Sequence, residues 1–179
     1  KLAKILPGDD DVQYALAQLY DDSGSLDKAH ADYEKLLTRD PKNVATLLHM
    51  GTLENRRNNP QASLDYLNRG LTLTVQLGND EEKGAILEAI GTSYQLMNKP
   101  DEALRNYQEA LDVKRRLGDK GGIAGALSRV AEIQQKAGSS QQALKSLQEA
   151  LRLRREIGET IQSSLEVDKG SAPHIPIGW

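Results

Sequence analysis

The chain contains 179 residues, no cysteine and no phenylalanine, and its formal net charge is −3. The lack of cysteine excludes disulfides, thiolate catalysis and cysteine-ligated zinc, and the slight acidity argues against a protein that mainly binds nucleic acid. No apolar run approaches the roughly 20 residues that a membrane span requires, and residues 1–10 lack the apolar core of a signal peptide, so we expect a cytoplasmic protein without a membrane partner.

Four pairs of helices are predicted from residues that recur along the chain. The stretches 58–71, 98–111 and 138–151 read NNPQASLDYLNRGL, NKPDEALRNYQEAL and GSSQQALKSLQEAL. Small residues that are spaced by 34, 40 and 40 positions mark the second helix of each pair: Ala29, Ser63, Ala103 and Ala143. Twelve residues earlier, small residues mark the first helix: Ala17, Gly51, Gly91 and Ala131. Antiparallel helices approach closely only where small side chains meet, so this spacing predicts two crossing helices per repeat.

The predicted elements follow one another in chain order, with short turns between them. Residues 1–9 match the end of a preceding repeat, four repeats occupy 10–43, 44–83, 84–123 and 124–158, a capping helix covers 159–167, and an extended tail covers 168–179. Pro60 and Pro100 suit the first turn of a second helix, where the missing N–H costs nothing. Gly78, Gly118 and Gly158 are expected to end the second helices, because glycine readily adopts the conformation of a helix C-terminus.

The recurring positions carry a resemblance to a known family. The first repeat holds Leu16, Ala17, Tyr20, Ala29, Tyr33 and Pro41, and the third holds Ile90, Gly91, Tyr94, Ala103 and Tyr107. These columns resemble the tetratricopeptide-repeat (TPR) pattern, W-x2-L-G-x2-Y, then A-x3-F, then P. The 40-residue spacing is similar to that of the long-repeat subgroup, which includes kinesin light chains and spindle-orientation scaffolds. The resemblance implies an all-α, right-handed superhelical α-solenoid of antiparallel helix pairs over residues 1–167, with about four repeats and partial end repeats.

Motifs for metal binding, phosphate binding and nucleophilic catalysis are not indicated. The histidines, His30, His49 and His174, lie in different segments without a second ligand at metal spacing, and we interpret them as surface or half-buried residues. The stretch GDKGG at 118–122 lacks the ending of a phosphate-binding loop, and no G-x-S-x-G serine motif occurs. We therefore predict no catalytic residue, no metal and no cofactor, and we expect that the protein is not an enzyme.

A concave groove is the predicted binding site. In stacked helix pairs the first helices line the concave side, and the positions −3, +1, +4 and +5 from each small residue are expected to face it. This set is mostly polar, and its amides and hydroxyls suit a peptide backbone. Its members are Tyr14, Gln18, Asp21 and Asp22, then Leu48, Thr52, Asn55 and Arg56, then Glu88, Thr92, Gln95 and Leu96, and finally Ser128, Glu132, Gln135 and Lys136.

These patterns predict a non-catalytic scaffold that binds a protein or peptide in the groove. Two alternatives stay open: a regulatory or sensor segment of a larger signalling protein, and a unit that self-assembles through its end repeats. The basic clusters KRR (114–116) and RLRR (152–155) suit helix C-termini, with an acidic partner or nucleic acid as the alternative. In the tail, Ile175, Ile177 and Trp179 are hypothesised to dock into a groove of the same chain or of a neighbour.

Overall fold

A computed structural model describes residues 9–170, and it describes the side chains of all of these except 159 and 161–170. Every regular element in this part of the chain is an α-helix, which confirms the prediction of an all-α helical repeat fold. The tail residues Ile175, Ile177 and Trp179 lie outside the described residues. The helices are α1 (Asp10–Asp22), α2 (Leu26–Arg39), α3 (Val44–Arg56), α4 (Pro60–Leu77), α5 (Asp80–Leu96), α6 (Pro100–Leu117), α7 (Lys120–Lys136) and α8 (Ser140–Gly170).

Capping residues explain where several helices begin and end. The side chains of Asn43, Asn79 and Asp119 precede α3, α5 and α7, and each accepts a hydrogen bond from a backbone N–H in the first turn. Gly78 and Gly118 lie one residue before two of these caps and have φ values of +67° and +69°. In this left-handed conformation glycine ends α4 and α6, so a glycine followed by Asn or Asp separates two consecutive helices.

The end of α8 differs from the prediction. Gly158 does not end the helix, which continues from Ser140 to Gly170, so residues 159–167 do not form a separate capping helix. Glu159 follows this glycine in place of Asn or Asp, and the Thr160 hydroxyl donates a hydrogen bond of 2.8 Å to the Glu156 carbonyl inside the helix. Without a capping residue after it, the glycine is accommodated in the helix interior at a cost of about 1 kcal/mol.

The chain divides between Leu117 and Gly118 into two compact units. Unit 1 contains α1 to α6, and its core includes the fully buried Tyr33, Leu47 and Met50. Unit 2 contains α7 and α8, and it buries small and aliphatic residues of both helices, among them Ala131 and Ala150. The single array over residues 1–167 and its repeat boundaries stay predictions.

The small-residue columns lie at helix crossings, as the sequence pattern predicts. A Cβ atom added to Gly91 on α5 would lie 2.8 Å from the Tyr107 Cε1 atom on α6. In the same way, a Cβ atom on Gly51 of α3 would overlap the Leu67 side chain of α4. At these positions α3 and α5 therefore lie too close to α4 and α6 for a larger side chain, and this contact holds each pair together.

Candidate functional site

The predicted groove residues of unit 1 lie on three first helices, α1, α3 and α5. We call this set the first-helix surface. The three helices are linked to one another: α3 packs directly against α5, and an ion pair joins α1 to α3. Half-buried members are Tyr14, Gln18, Leu48, Thr52, Glu88, Thr92 and Gln95, buried members are Asp21 and Asn55, and exposed members are Asp22, Arg56 and Leu96.

An aromatic cluster underlies one end of this surface. The rings of Tyr14 and His49 meet edge to face, with centroids 5.5 Å apart, and His49 stacks on Tyr33 at 5.8 Å. Burial lowers the pKa of His49, although the charges of Asp21 and Asp22 act in the opposite direction. Burial also raises the pKa of Tyr33. His49 lies two residues before Gly51, outside the predicted groove positions, so the sequence pattern missed it.

Two polar side chains hold the first helices together. The Arg56 guanidinium forms an ion pair with the buried Asp21 carboxylate, which joins α3 to α1. The Asn55 side chain is only 9% exposed, and its Nδ2 donates a hydrogen bond of 3.0 Å to the Ala89 carbonyl of α5. Asn55 was predicted to face a ligand, but it is buried and serves as a link between α3 and α5.

The hydroxyl groups of the surface bond to the protein itself. Thr52 Oγ1 donates to the His49 carbonyl at 2.9 Å, and Thr92 Oγ1 donates to the Glu88 carbonyl at 3.1 Å. The Tyr107 hydroxyl of α6 donates to Gln95 Oε1 at 2.6 Å. These bonds favour one orientation of the side chains before a ligand binds.

The predicted groove residues of unit 2 lie on α7. Ser128 Oγ donates a hydrogen bond of 2.9 Å to the Ala124 carbonyl, and Glu132 forms an ion pair of 2.8 Å with Lys136. Gln135 and Lys136 are exposed. Unit 2 thus presents one first helix with a mixture of amide, acidic and basic groups.

Negative charge in unit 1 is concentrated on the first helices. Helix α1 carries four acidic and no basic side chains, α3 carries one of each, and α5 carries four acidic and one basic. In contrast, the second helices α2, α4 and α6 carry equal numbers of acidic and basic side chains. A cleft of about 270 Å³ beside Tyr14 adds to the acidic region, because Asp10, Asp11 and Asp40 line it.

Among the side chains in the part of the chain that the structure describes, no group of three or more histidine, aspartate or glutamate residues is placed to hold a metal ion. Among the helices of that part, none combines the length and the apolar character that a membrane crossing requires.

Comparison with known families identifies the repeats. Two sequence profiles described as tetratricopeptide repeat match the chain, one over residues 43–116 and one over residues 10–43. The chain belongs to the tetratricopeptide-repeat family. The TPR resemblance of the sequence pattern is thereby confirmed. Among curated proteins, no sequence matches this chain.

Solved structures share the TPR fold at low sequence identity. The crystal structure of MamA is 19% identical, with a TM-score of 0.70 over 88% of this chain and 85% of that one. BtubC (BKLC) from P. vanneervenii is 19% identical, with a TM-score of 0.75 over 83% of this chain and 64% of that one. The TPR-like repeats of a putative kinesin light chain from Podosopora anserina are 16% identical, with a TM-score of 0.69 over 88% and 82%.

The half-buried His49 makes the stability of the TPR chain sensitive to pH. Because His49 has a lowered pKa in the folded state, the unfolded state binds a proton more readily. The contribution of His49 to the free energy of unfolding is complete at a pH above the pKa of histidine in the unfolded chain, about 6.5. This contribution is lost as the pH falls below that value, with a slope of at most about 1.4 kcal/mol per pH unit. Urea denaturation at pH 7 and pH 5 measures this loss.

The variant His49→Phe provides the control for this prediction, because it keeps a ring between Tyr14 and Tyr33 and does not titrate. All other titrating groups are common to both proteins, so the difference between the two pH dependences isolates His49. We expect the variant to lose less stability between pH 7 and pH 5 than the wild type. Equal losses in both proteins would contradict the assignment.

Proposed function

We propose that this TPR chain is a non-catalytic interaction module that binds an extended, basic peptide segment on the first-helix surface of unit 1. TPR proteins are in general scaffolds for protein–protein interaction. The observation that supports a basic partner is the charge asymmetry of unit 1: the first helices α1 and α5 are acidic, whereas α3 and all three second helices are neutral. Such a field steers a ligand of opposite charge toward one face.

Specific acidic groups support a basic ligand. Asp22 is exposed at the end of α1, whereas Glu88 on α5 is half-buried and already forms an ion pair of 3.0 Å with Lys114 of α6. Burial raises the pKa of Tyr14 on α1, and the charge of Glu82 on α5 raises it further, so the acidic start of α5 acts on the region of the aromatic cluster. The cation of Arg56 is offset by its ion pair with Asp21, which leaves the surface with an excess of negative charge.

The uncharged side chains of the first-helix surface support an extended peptide as the ligand. The amides of Gln18 and Gln95 each combine a donor and an acceptor, the same combination that a peptide group presents. Leu48 and Leu96 supply apolar contact beside them, and Leu96 is 45% exposed. Because the links between the helices are already formed, binding needs little ordering of the protein, and more of the contact energy appears as affinity.

Selection from a library of displayed random peptides tests this proposal, followed by fluorescence anisotropy with the selected peptides. We expect enrichment of lysine and arginine, and an affinity that falls as the salt concentration rises. The double variant Gln18→Lys/Asp22→Lys should weaken binding by about tenfold or more, because it replaces a neutral and an acidic side chain of α1 by cations.

The double variant Gln61→Lys/Asp65→Lys is a matched control, since it makes the same change of charge with exposed residues of the second helix α4. It should leave the affinity within about twofold of the wild type. Equal effects of the two double variants, or selection of acidic peptides, would refute the assignment of the first-helix surface.

A further inference from the structure

Helix α8 presents an apolar stripe to solvent. Leu144, Leu147 and Leu151 lie on one face of the helix, at the spacing of successive turns, and they are 55%, 47% and 50% exposed. The adjacent face of α8, with Ala143, Ala150 and Leu153, is buried. We call the three leucines the α8 stripe.

The equivalent stripe on α4 is covered by the next helix in the chain. Counted from the small residue of each second helix, the α8 stripe corresponds to Leu64, Leu67 and Leu71. Leu64 is 6% and Leu67 is 0% exposed, and they pack in one cluster with Ile86 and Ile90 of α5. A first helix is therefore the kind of element that covers this face of a second helix.

Helix α1 exposes the surface that such a first helix uses. Counted from the small residue of each first helix, Val12 and Leu16 correspond to Ile86 and Ile90, yet both are only half-buried. Leu19 on the same face is 57% exposed. The residues at the corresponding position of α3 and α7, Leu53 and Ile133, are 0% and 4% exposed. We call Val12, Leu16 and Leu19 the α1 face.

We propose that the α8 stripe of one copy of this chain packs against the α1 face of a second copy, in the way that α4 packs against α5. The α8 stripe and the α1 face match the two sides of the α4–α5 interface within the chain. A second copy of the chain is therefore the partner that fits both faces. Such a head-to-tail contact is heterologous, so it extends from copy to copy or closes into a ring.

The charges at the two faces are complementary in this arrangement. Within unit 1, α4 ends where α5 begins, and the two helices contact each other. By the same geometry, the later turns of the α8 stripe lie beside the start of α1 from the second copy. Arg152 and Arg155 are exposed on those turns, and Asp9, Asp10 and Asp11 are exposed at the start of α1. Opposite charges meet there, which favours this pairing of the two faces.

Sedimentation velocity with two variants tests the proposal. Leu147→Glu/Leu151→Glu blocks the α8 stripe, and Leu19→Glu blocks the α1 face. The residues are about half exposed, so we expect both variants to fold, which circular dichroism checks. The wild type should show a mass that increases with concentration. Each variant alone should have a dissociation constant for self-association that is at least about tenfold higher.

An equimolar mixture of the two variants distinguishes head-to-tail assembly from other arrangements. Each variant retains one intact face, so the mixture should form a one-to-one dimer that neither variant forms alone. Leu77→Glu is the matched control, because Leu77 is 70% exposed on α4 and belongs to neither face; this variant should assemble like the wild type.

Three results would overturn the proposal. A wild type that stays monomeric up to its solubility limit would show that a different element covers the two faces. Assembly of Leu19→Glu to the wild-type extent would indicate pairing of two α8 stripes. A mixture of the variants that stays monomeric would exclude the complementary contact. Peptide binding to the first-helix surface does not depend on any of these results.

Discussion

Replacement of Gly91 by valine is expected to lower the free energy of unfolding by about 3 kcal/mol. Even a Cβ atom at this position would lie 2.8 Å from the Tyr107 ring, and valine adds two further methyl groups. The ring is fully buried, and its hydroxyl is held by the hydrogen bond to Gln95. Since the ring cannot move without the loss of that bond, α5 and α6 must separate. Urea denaturation followed by circular dichroism measures the change.

Gly125→Val is the matched control for this prediction. Gly125 lies inside α7, as Gly91 lies inside α5, but no atom lies within 4 Å of an added Cβ. The same substitution should therefore change the free energy of unfolding by less than about 0.5 kcal/mol. Valine has a higher helix propensity than glycine, so neither variant should lose stability on that account. If the two variants lost stability equally, the cost would not come from the crossing of α5 and α6.

The sequence predicts the parts of the fold that depend on local spacing. Small residues such as Gly51 and Gly91 identify the helix crossings, because close approach requires them wherever they occur. Pro60 and Pro100 correctly mark the first residues of α4 and α6, since the restriction that proline imposes is local. Both kinds of signal act within one helix pair, so a single repeat contains all the information they need.

Features that depend on distant neighbours were not predicted. The burial of Asn55 results from its bond to the Ala89 carbonyl, 34 residues away, and a polar residue on a first helix carries no local sign of such a partner. His49 is half-buried, and its contacts with Tyr14 and Tyr33 from two other helices likewise carry no local sign in the sequence. Gly158 was misread because its effect depends on the residue that follows it.

The buried carboxylate of Glu54 leads to the second large prediction. This side chain lies where α3 packs against α2 and is 4% exposed. Its Oε2 accepts a hydrogen bond of 3.0 Å from Asn59 Nδ2, and its Oε1 lies 3.3 Å from His30 Nε2 and 3.6 Å from the Arg57 guanidinium. We expect Glu54→Ala to lower the free energy of unfolding by about 2 kcal/mol, because three polar groups lose a shared partner.

Glu34→Ala is the matched control, because Glu34 is the other carboxylate near His30, at 3.6 Å from Nδ1, and its side chain is 58% exposed. Water replaces an exposed partner, so this variant should lose less than about 0.5 kcal/mol in the same urea titration. The comparison of the two variants separates the effect of burial from the effect of charge. Both substitutions remove one negative charge near His30, but only Glu54 also joins α3 to the residues that precede α4. Equal losses would show that long-range charge, and not the buried hydrogen bonds, stabilises the packing of α2 on α3.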